Sequence, residues 1–257
     1  MLRLQIQYLS FFFGLVSILS FFNIIYSYYF NLYLNLDTYY ICLILSLIIS
    51  VIFYNIGIPD KKLSIFEKIL TVFLGYIFLP LVLSIPFYFS IYNLTFLNSF
   101  FESVSGFTST GFTIFENIKH IDQSLVLWRS STQWIGGLYF LFSIIFLIDI
   151  YDDSFKKSLT NFISLSSSEI LKQAIKIFLL YSCLTLVIFI ILNIFSIRTF
   201  DSLNLAFTLI SSGGFLPVND LSTIIKDNTQ MIVLSLLMLS SFFSIFFGYN
   251  LIFLKNI

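Results

Sequence analysis

The 257-residue chain is 58% hydrophobic and 10% charged, and its 13 Lys and Arg balance 13 Asp and Glu. A soluble domain carries about 25% charged residues, so this composition excludes an ordinary soluble protein, and it offers nucleic acid no basic surface. The single histidine, His120, excludes a histidine-built metal centre, and Cys42 and Cys183 lie inside apolar runs, where they read as small buried hydrophobes.

The expected fold is all-α and polytopic. The N-terminus has one basic residue, Arg3, and no small-residue cleavage site, so it reads as a first membrane helix and not as a removed signal peptide. Six stretches are long enough to cross at about 20 residues per crossing: 9–30, 39–58, 69–92, 126–148, 177–197 and 231–254. The third contains Pro80 and Pro86, tolerable in a membrane helix when neighbours satisfy the freed carbonyls. The fourth carries Arg129 near its start and is uninterrupted from Trp134 onward. Six crossings put both termini on one side. That side holds Arg3, Lys61, Lys62, Lys68, Lys156, Lys157, Lys172, Lys176 and Lys255, against Lys119, Arg129, Arg198 and Lys226 on the other. The excess of positive charge places the termini in the cytoplasm.

Segments 93–125 and 198–230 fall on the outer side, too polar to cross and too apolar for plain loops. With a one-residue gap they repeat: TFLNSFFESVSGFTSTGFTIF aligns with TFDSLNLAFTLISSGGFLPV. Thr95-Phe96 answers Thr199-Phe200, and Gly111-Phe112 answers Gly214-Phe215, 103 residues on. Each copy reads as long helix, half-helix, small-residue loop, long helix, so the chain divides into a leading pair of helices (1–60) and two repeats, 61–155 and 156–257.

A non-helical segment at membrane depth must be buried in protein or line water. A half-helix that dips in from outside points its carbonyl end inward, where its dipole favours a cation. Its loop, Thr108-Ser109-Thr110-Gly111 or Ser211-Ser212-Gly213-Gly214, has side chains too small to block a passage. Glycine permits the positive φ that turns consecutive carbonyls to one axis, and rings of carbonyls replace an ion's hydration shell. The competing reading is close helix packing, the commoner use of small residues in membranes. Two matching loops on one face favour the ion path.

FFESVSGFTSTGF, followed by LWRSSTQWIGG at 127–137, resembles the Trk/Ktr/HKT superfamily of potassium transporters, most closely its TrkH-like branch, and FTLISSGGF resembles that family's second pore loop. The resemblance implies a potassium uptake subunit of the cytoplasmic (inner) membrane, built of helix–pore-helix–filter–helix units, four around one ion path. It assigns Thr108, Ser109, Thr110, Gly111 and Phe112 to the first filter segment. Ser211, Ser212, Gly213, Gly214 and Phe215 form the second, with Gly214 in the filter-glycine place. Potassium would be the substrate, held by backbone carbonyls, with no cofactor in this chain.

The pattern departs from the family in two places. Gly136-Gly137 is followed by Leu138-Tyr139 where a small residue is usual, which predicts looser packing there. Only two of four pore units are present, so the remainder is expected from a longer product, a second copy or a separate chain. The resemblance also implies a cytoplasmic ring of nucleotide-binding regulatory subunits. This chain itself has no Gly-rich phosphate loop.

Glu102, in the first half-helix, reads either as a brace that supports the filter with Arg129 as partner, or as a solvated vestibule carboxylate. Arg129 matches the family's arginine at that place, and the plainer alternative is that it snorkels outward. Trp128 reads as an interface anchor and Trp134 as a packing residue. Asp149, Asp152 and Asp153 beside Lys156 and Lys157 form a solvated linker, and Glu116, Asp122, Asp201 and Asp220 are outer charges, either ordinary or concentrating cations at the mouth. No nucleophile, acid–base pair or metal cluster is present, so the expected function is transport and not catalysis. The alternative function is a non-conducting membrane scaffold or assembly subunit.

Overall fold

The computed structural model describes residues 6–56, 65–147 and 167–253, and among these there are helices and turns but no strand. In chain order the helices are α1 (Ile6–Tyr29), α2 (Leu36–Ile56), α3 (Ile65–Leu83), α4 (Ile85–Tyr88), α5 (Phe96–Phe107), α6 (Gln123–Leu147), α7 (Ser167–Ile194), α8 (Thr199–Ile210) and α9 (Asn228–Phe253). Two further single turns of 3₁₀ helix, Ile118–His120 and Leu221–Thr223, follow α5 and α8. The linker holding Asp149, Asp152, Asp153, Lys156 and Lys157 lies outside the described residues, as do Arg3, Lys61, Lys62 and Lys255.

Among the described residues, four stretches are long and apolar enough to cross a membrane: Tyr8–Tyr29, Leu36–Ile56, Phe66–Tyr88 and Ile175–Ile194. α6 has 25 residues but carries Arg129 and Gln133 in its first half. In α9 the stretch Asn228–Ser241 is a shorter apolar helix by the same measure. α5 and α8 have 12 residues each. At about 1.5 Å per residue each is roughly 18 Å long, well short of the ~30 Å hydrocarbon core.

The chain forms two compact units, Met1–Phe100 with Tyr139–Ile177, and Phe101–Leu138 with Phe178–Ile257. In the first, α1 and α2 pack as a hairpin whose polar seam is Ser10 against Ser50, each hydroxyl donating to the other's backbone carbonyl at 2.9 and 2.8 Å. Tyr139 is its aromatic centre, 4.8 Å from the Phe12 ring, 5.0 Å from Tyr76 and 5.7 Å from Tyr8, with its hydroxyl donating to the Val72 carbonyl. Outward faces carry large apolar side chains such as Phe22, Ile44 and Phe73, the surface that lipid solvates without penalty.

The two prolines act differently. α3 runs through Pro80 and stops at Leu83, and α4 restarts with Pro86 in its first turn. Pro86 has no N–H to offer the Val82 carbonyl four residues earlier. The Cys42 thiol on α2 takes that place, donating to Val82 O at 3.7 Å, which gives this buried cysteine a hydrogen-bonding role. Cys183 departs from its sequence reading: it is exposed on the outer face of α7, not buried.

Candidate functional site

Both small-residue loops belong to the second unit, and they are built alike. α5 ends in a turn where Ser109 N–H reaches the Gly106 carbonyl at 2.9 Å and Thr110 N–H reaches Ser105 O at 3.0 Å. α8 ends with the same pair: Ser212 N–H to Leu209 O at 3.1 Å and Gly213 N–H to Thr208 O at 2.8 Å. In both turns the residue in left-handed conformation is a serine, Ser109 at φ 55° and Ser212 at φ 53°. This is the helix C-terminal arrangement in which a left-handed residue returns N–H groups to orphaned carbonyls, a place glycine usually holds. A hydroxyl then ties each loop back to its helix across seven residues. Ser105 Oγ donates to Phe112 O, and Thr208 Oγ1 donates to Phe215 O. The two segments therefore share these three bonds at an offset of 103 residues.

The loops meet at their glycines. A Cβ on Gly111 would lie 2.7 Å from the Gly214 Cα, and one on Gly214 would lie 3.2 Å from the Gly111 Cα. Gly111 has φ +79°, the conformation the sequence reading assigned to glycine. Gly213 and Gly214 do not adopt it, and in that loop Ser212 takes the left-handed turn. Gly213 is instead required for space, since a Cβ there would overlap the Gln133 amide at 2.4–2.6 Å. The Phe112 and Phe215 carbonyls each accept one hydroxyl bond, which leaves each a second lone pair. Phe215 is 2% exposed, while its counterpart Phe112 is 69% exposed.

Helix α6 holds both loops. Glu102 and Arg129 are 0% and 1% exposed and pair at 2.8 Å between Arg129 Nε and Glu102 Oε1. Neither a solvated carboxylate nor a snorkelling arginine describes them. The carboxylate also accepts from Thr113 Oγ1 at 3.0 and 3.1 Å and from Ile114 N–H at 3.0 Å, fixing the exit of the first loop. Arg129 Nη2 donates to Thr113 Oγ1 at 3.0 Å, and Nη1 donates to Leu216 O, beyond the second loop, at 3.5 Å. Its guanidinium lies 4.2 Å from the centre of the Phe215 ring. One arginine thus touches the exits of both loops.

One turn further along α6, Gln133 reaches the second loop. With its amide oriented to match donors to acceptors, Oε1 accepts from Gly214 N–H and Phe215 N–H at 2.9 Å each, and Nε2 donates to Thr208 Oγ1 at 2.9 Å. Ser130 Oγ donates to Asn204 Oδ1 at 2.6 Å on α8. The motif LWRSSTQWIGG contains Gln133, and its spacing of four from Arg129 was the available sign that both face the loops.

Packing beneath the loops is tight where looseness was expected. A Cβ on Gly136 would fall 1.9 Å from the Phe107 carbonyl oxygen, and one on Gly137 would fall 2.7 Å from Ser211 Cβ. The two glycines meet the ends of α5 and α8, and the Tyr139 ring packs against Phe12 and Tyr76. Trp128 is fully buried and so is not an interface anchor. Trp134 packs as expected: its Nε1 donates to Thr185 Oγ1 at 3.0 Å, and its carbonyl accepts from Tyr181 Oη at 3.0 Å. Beyond the loops, Asn219 Oδ1 accepts from Ile118 N–H at 2.7 Å, and Asn219 Nδ2 donates to Asn117 Oδ1 at 3.2 Å, joining the two exit segments. Asp201 pairs with Arg198 at 3.0 Å in the first turn of α8, and Asp122 accepts from Ser124 Oγ at 2.8 Å where α6 begins. Both carboxylates are engaged at helix starts.

Long apolar helices, together with two 12-residue helices whose loops are held by buried polar side chains, define a helical membrane protein. No family model matches the chain. An uncharacterized cation transporter of Methanocaldococcus jannaschii is 26% identical over 235 residues, 85% of this chain and 48% of that protein. The Trk system potassium uptake protein TrkH of Escherichia coli K12 is 28% identical over 170 residues, 61% of this chain and 35% of TrkH. TrkI of Halomonas elongata is 45% identical over 60 residues, 23% of this chain and 11% of TrkI. The crystal structure of the potassium transporter TrkH from Vibrio parahaemolyticus shares the fold, with a TM-score of 0.72 at 18% identity over 91% of this chain and 48% of that one. The homologues of this chain are thus Trk-type potassium uptake proteins and a cation transporter, and these are not enzymes. The chain spans about half the length of the longest-matching relatives.

Proposed function

We propose that the chain contributes two pore units to a potassium uptake pathway, with Thr108–Gly111 and Ser211–Gly214 as filter segments. The observation that carries this reading is the shared turn and hydroxyl tie of two loops whose glycine backbones meet. α5 and α8 are re-entrant half-helices in this reading, and their C-terminal ends lend partial negative charge to a cation at the loops. Backbone carbonyls take over from the ion's water, so potassium is the substrate and no cofactor is involved. Glu102 and Arg129 support the filter by holding the loop exits. The repeats 61–155 and 156–257 each supply one unit behind the leading pair 1–60. Six crossings place the termini on the cytoplasmic side of the inner membrane, where a nucleotide-binding regulatory subunit would dock.

Two loops surround half an ion. A further pair of units, from a longer product, a second copy or another chain, completes the ring. The exposed Phe112 supports this: Phe215 is covered by Arg129 and lies against Gly106 of the first repeat, and Phe112 has the matching place open to a neighbour. Expression of the chain, alone and with the complementary half of a relative, should restore growth of potassium-uptake-deficient cells at low potassium. Gly111→Ser and Gly214→Ser should then change K⁺/Na⁺ discrimination, because each Cβ meets the opposite glycine. Unchanged flux in both variants rejects the filter assignment. A stable complex with no flux in any combination favours the scaffold reading.

A further inference from the structure

The two loops are alike in backbone but not in support. Where the first half-helix has Glu102, the second has Leu205 at the offset of 103, so the second loop has no acid of its own to fix its exit. It relies on Gln133, a residue of the preceding repeat. Both Gly214 N–H and Phe215 N–H point at one amide oxygen. In a trans peptide the N–H and C=O of one unit point in opposite directions, so this bond pair turns the Gly213 and Gly214 carbonyls away from α6. The amide's other end donates to Thr208 Oγ1, whose own proton goes to Phe215 O. Oε1 accepts two backbone N–H groups while Nε2 and the Thr208 hydroxyl donate in sequence, and Gln133 is completely buried.

We infer that Gln133 and Thr208 are positioning residues for ion discrimination, setting the carbonyl direction of the second filter segment from the helix of the first repeat. The inference rests on the filter reading above for its consequence, but not for its geometry. Gln133→Met keeps the volume and removes both ends of the amide. Thr208→Val removes the hydroxyl at constant shape, and Thr208→Ser restores it.

Hydrogen exchange on the full chain in lipid nanodiscs reads the geometry directly. Gln133→Met should speed exchange of the Gly214 and Phe215 amides about tenfold, the factor expected for losing a modest net bonding energy, while the 108–114 segment changes little. Flux of K⁺ against Na⁺ reads the consequence. Gln133→Met and Thr208→Val should lower the K⁺/Na⁺ ratio several-fold, with Thr208→Ser close to the unsubstituted chain. Unchanged exchange at Gly214 and Phe215 overturns the positioning. Faster exchange with an unchanged ion ratio, in a chain that conducts, overturns the link to discrimination. Absence of any cation flux from the unsubstituted assembly refutes the filter reading and with it that link, and the exchange result still decides the positioning.

Discussion

Arg129→Met tests the support of the loops most sharply. The substitution removes a guanidinium that is 1% exposed and leaves Glu102, 0% exposed, with only Thr113 Oγ1 and Ile114 N–H as donors. Breaking a buried pair from one side costs about 3–5 kcal/mol, because the remaining charge stays buried without its partner. Glu102→Gln should cost a comparable amount, since the guanidinium would retain Thr113, the Leu216 carbonyl at 3.5 Å and the Phe215 ring but no counter-charge. In the double variant no charge is stranded, so the losses should not add. Denaturant unfolding of the purified protein in detergent gives the cycle. The expected coupling is at least about 2 kcal/mol, near the upper part of the range for residues in contact. A coupling within about 0.5 kcal/mol of zero, the range of independent sites, would refute the reasoning.

Gly136→Ala should destabilise the protein by about 1–3 kcal/mol in the same unfolding assay, because its Cβ overlaps the Phe107 main-chain carbonyl, which has no rotamer by which to retreat. A neutral alanine there would show that α6 and the end of α5 are further apart than described. Ser109→Gly and Ser212→Gly should be neutral or stabilising by up to about 1 kcal/mol, since both serines sit in a conformation that costs L-residues roughly that much. Marked destabilisation would mean that the left-handed turns are wrongly placed. Cys42→Ala should lower stability by roughly 1 kcal/mol by stranding the Val82 carbonyl beside Pro86, and loss of nothing measurable would remove the thiol's bonding role.

The helical architecture was legible because its signals are local. Apolar runs near 20 residues announce long helices, and the alignment of Thr95-Phe96 with Thr199-Phe200 foretells two short helices, which both have 12 residues. The pairing of Glu102 with Arg129 was legible as one of two readings, from the cost of charge at membrane depth and from the family's arginine at that place, with solvation of each as the alternative. What escaped the sequence is what depends on third parties. Serine in a left-handed turn is statistically unusual, so Ser109 and Ser212 were passed over in favour of the glycines beside them. Gln133 is one polar residue in a run of five, and its role emerges only when α8 is placed against α6. Trp128 reads as an anchor from composition, because nothing local reveals that it is enclosed on every side. Cys183 errs the other way: an apolar neighbourhood in sequence means burial in water, but on a membrane helix it also describes the face turned to lipid.

Two filter segments whose glycines meet must share one cation. The direct measurement is the structure of the assembled protein in rubidium, read by anomalous scattering. The account predicts a peak coordinated by carbonyl oxygens of both Thr108–Gly111 and Ser211–Gly214. Well-ordered loops with no ion between them, or a peak held by other residues, would contradict it.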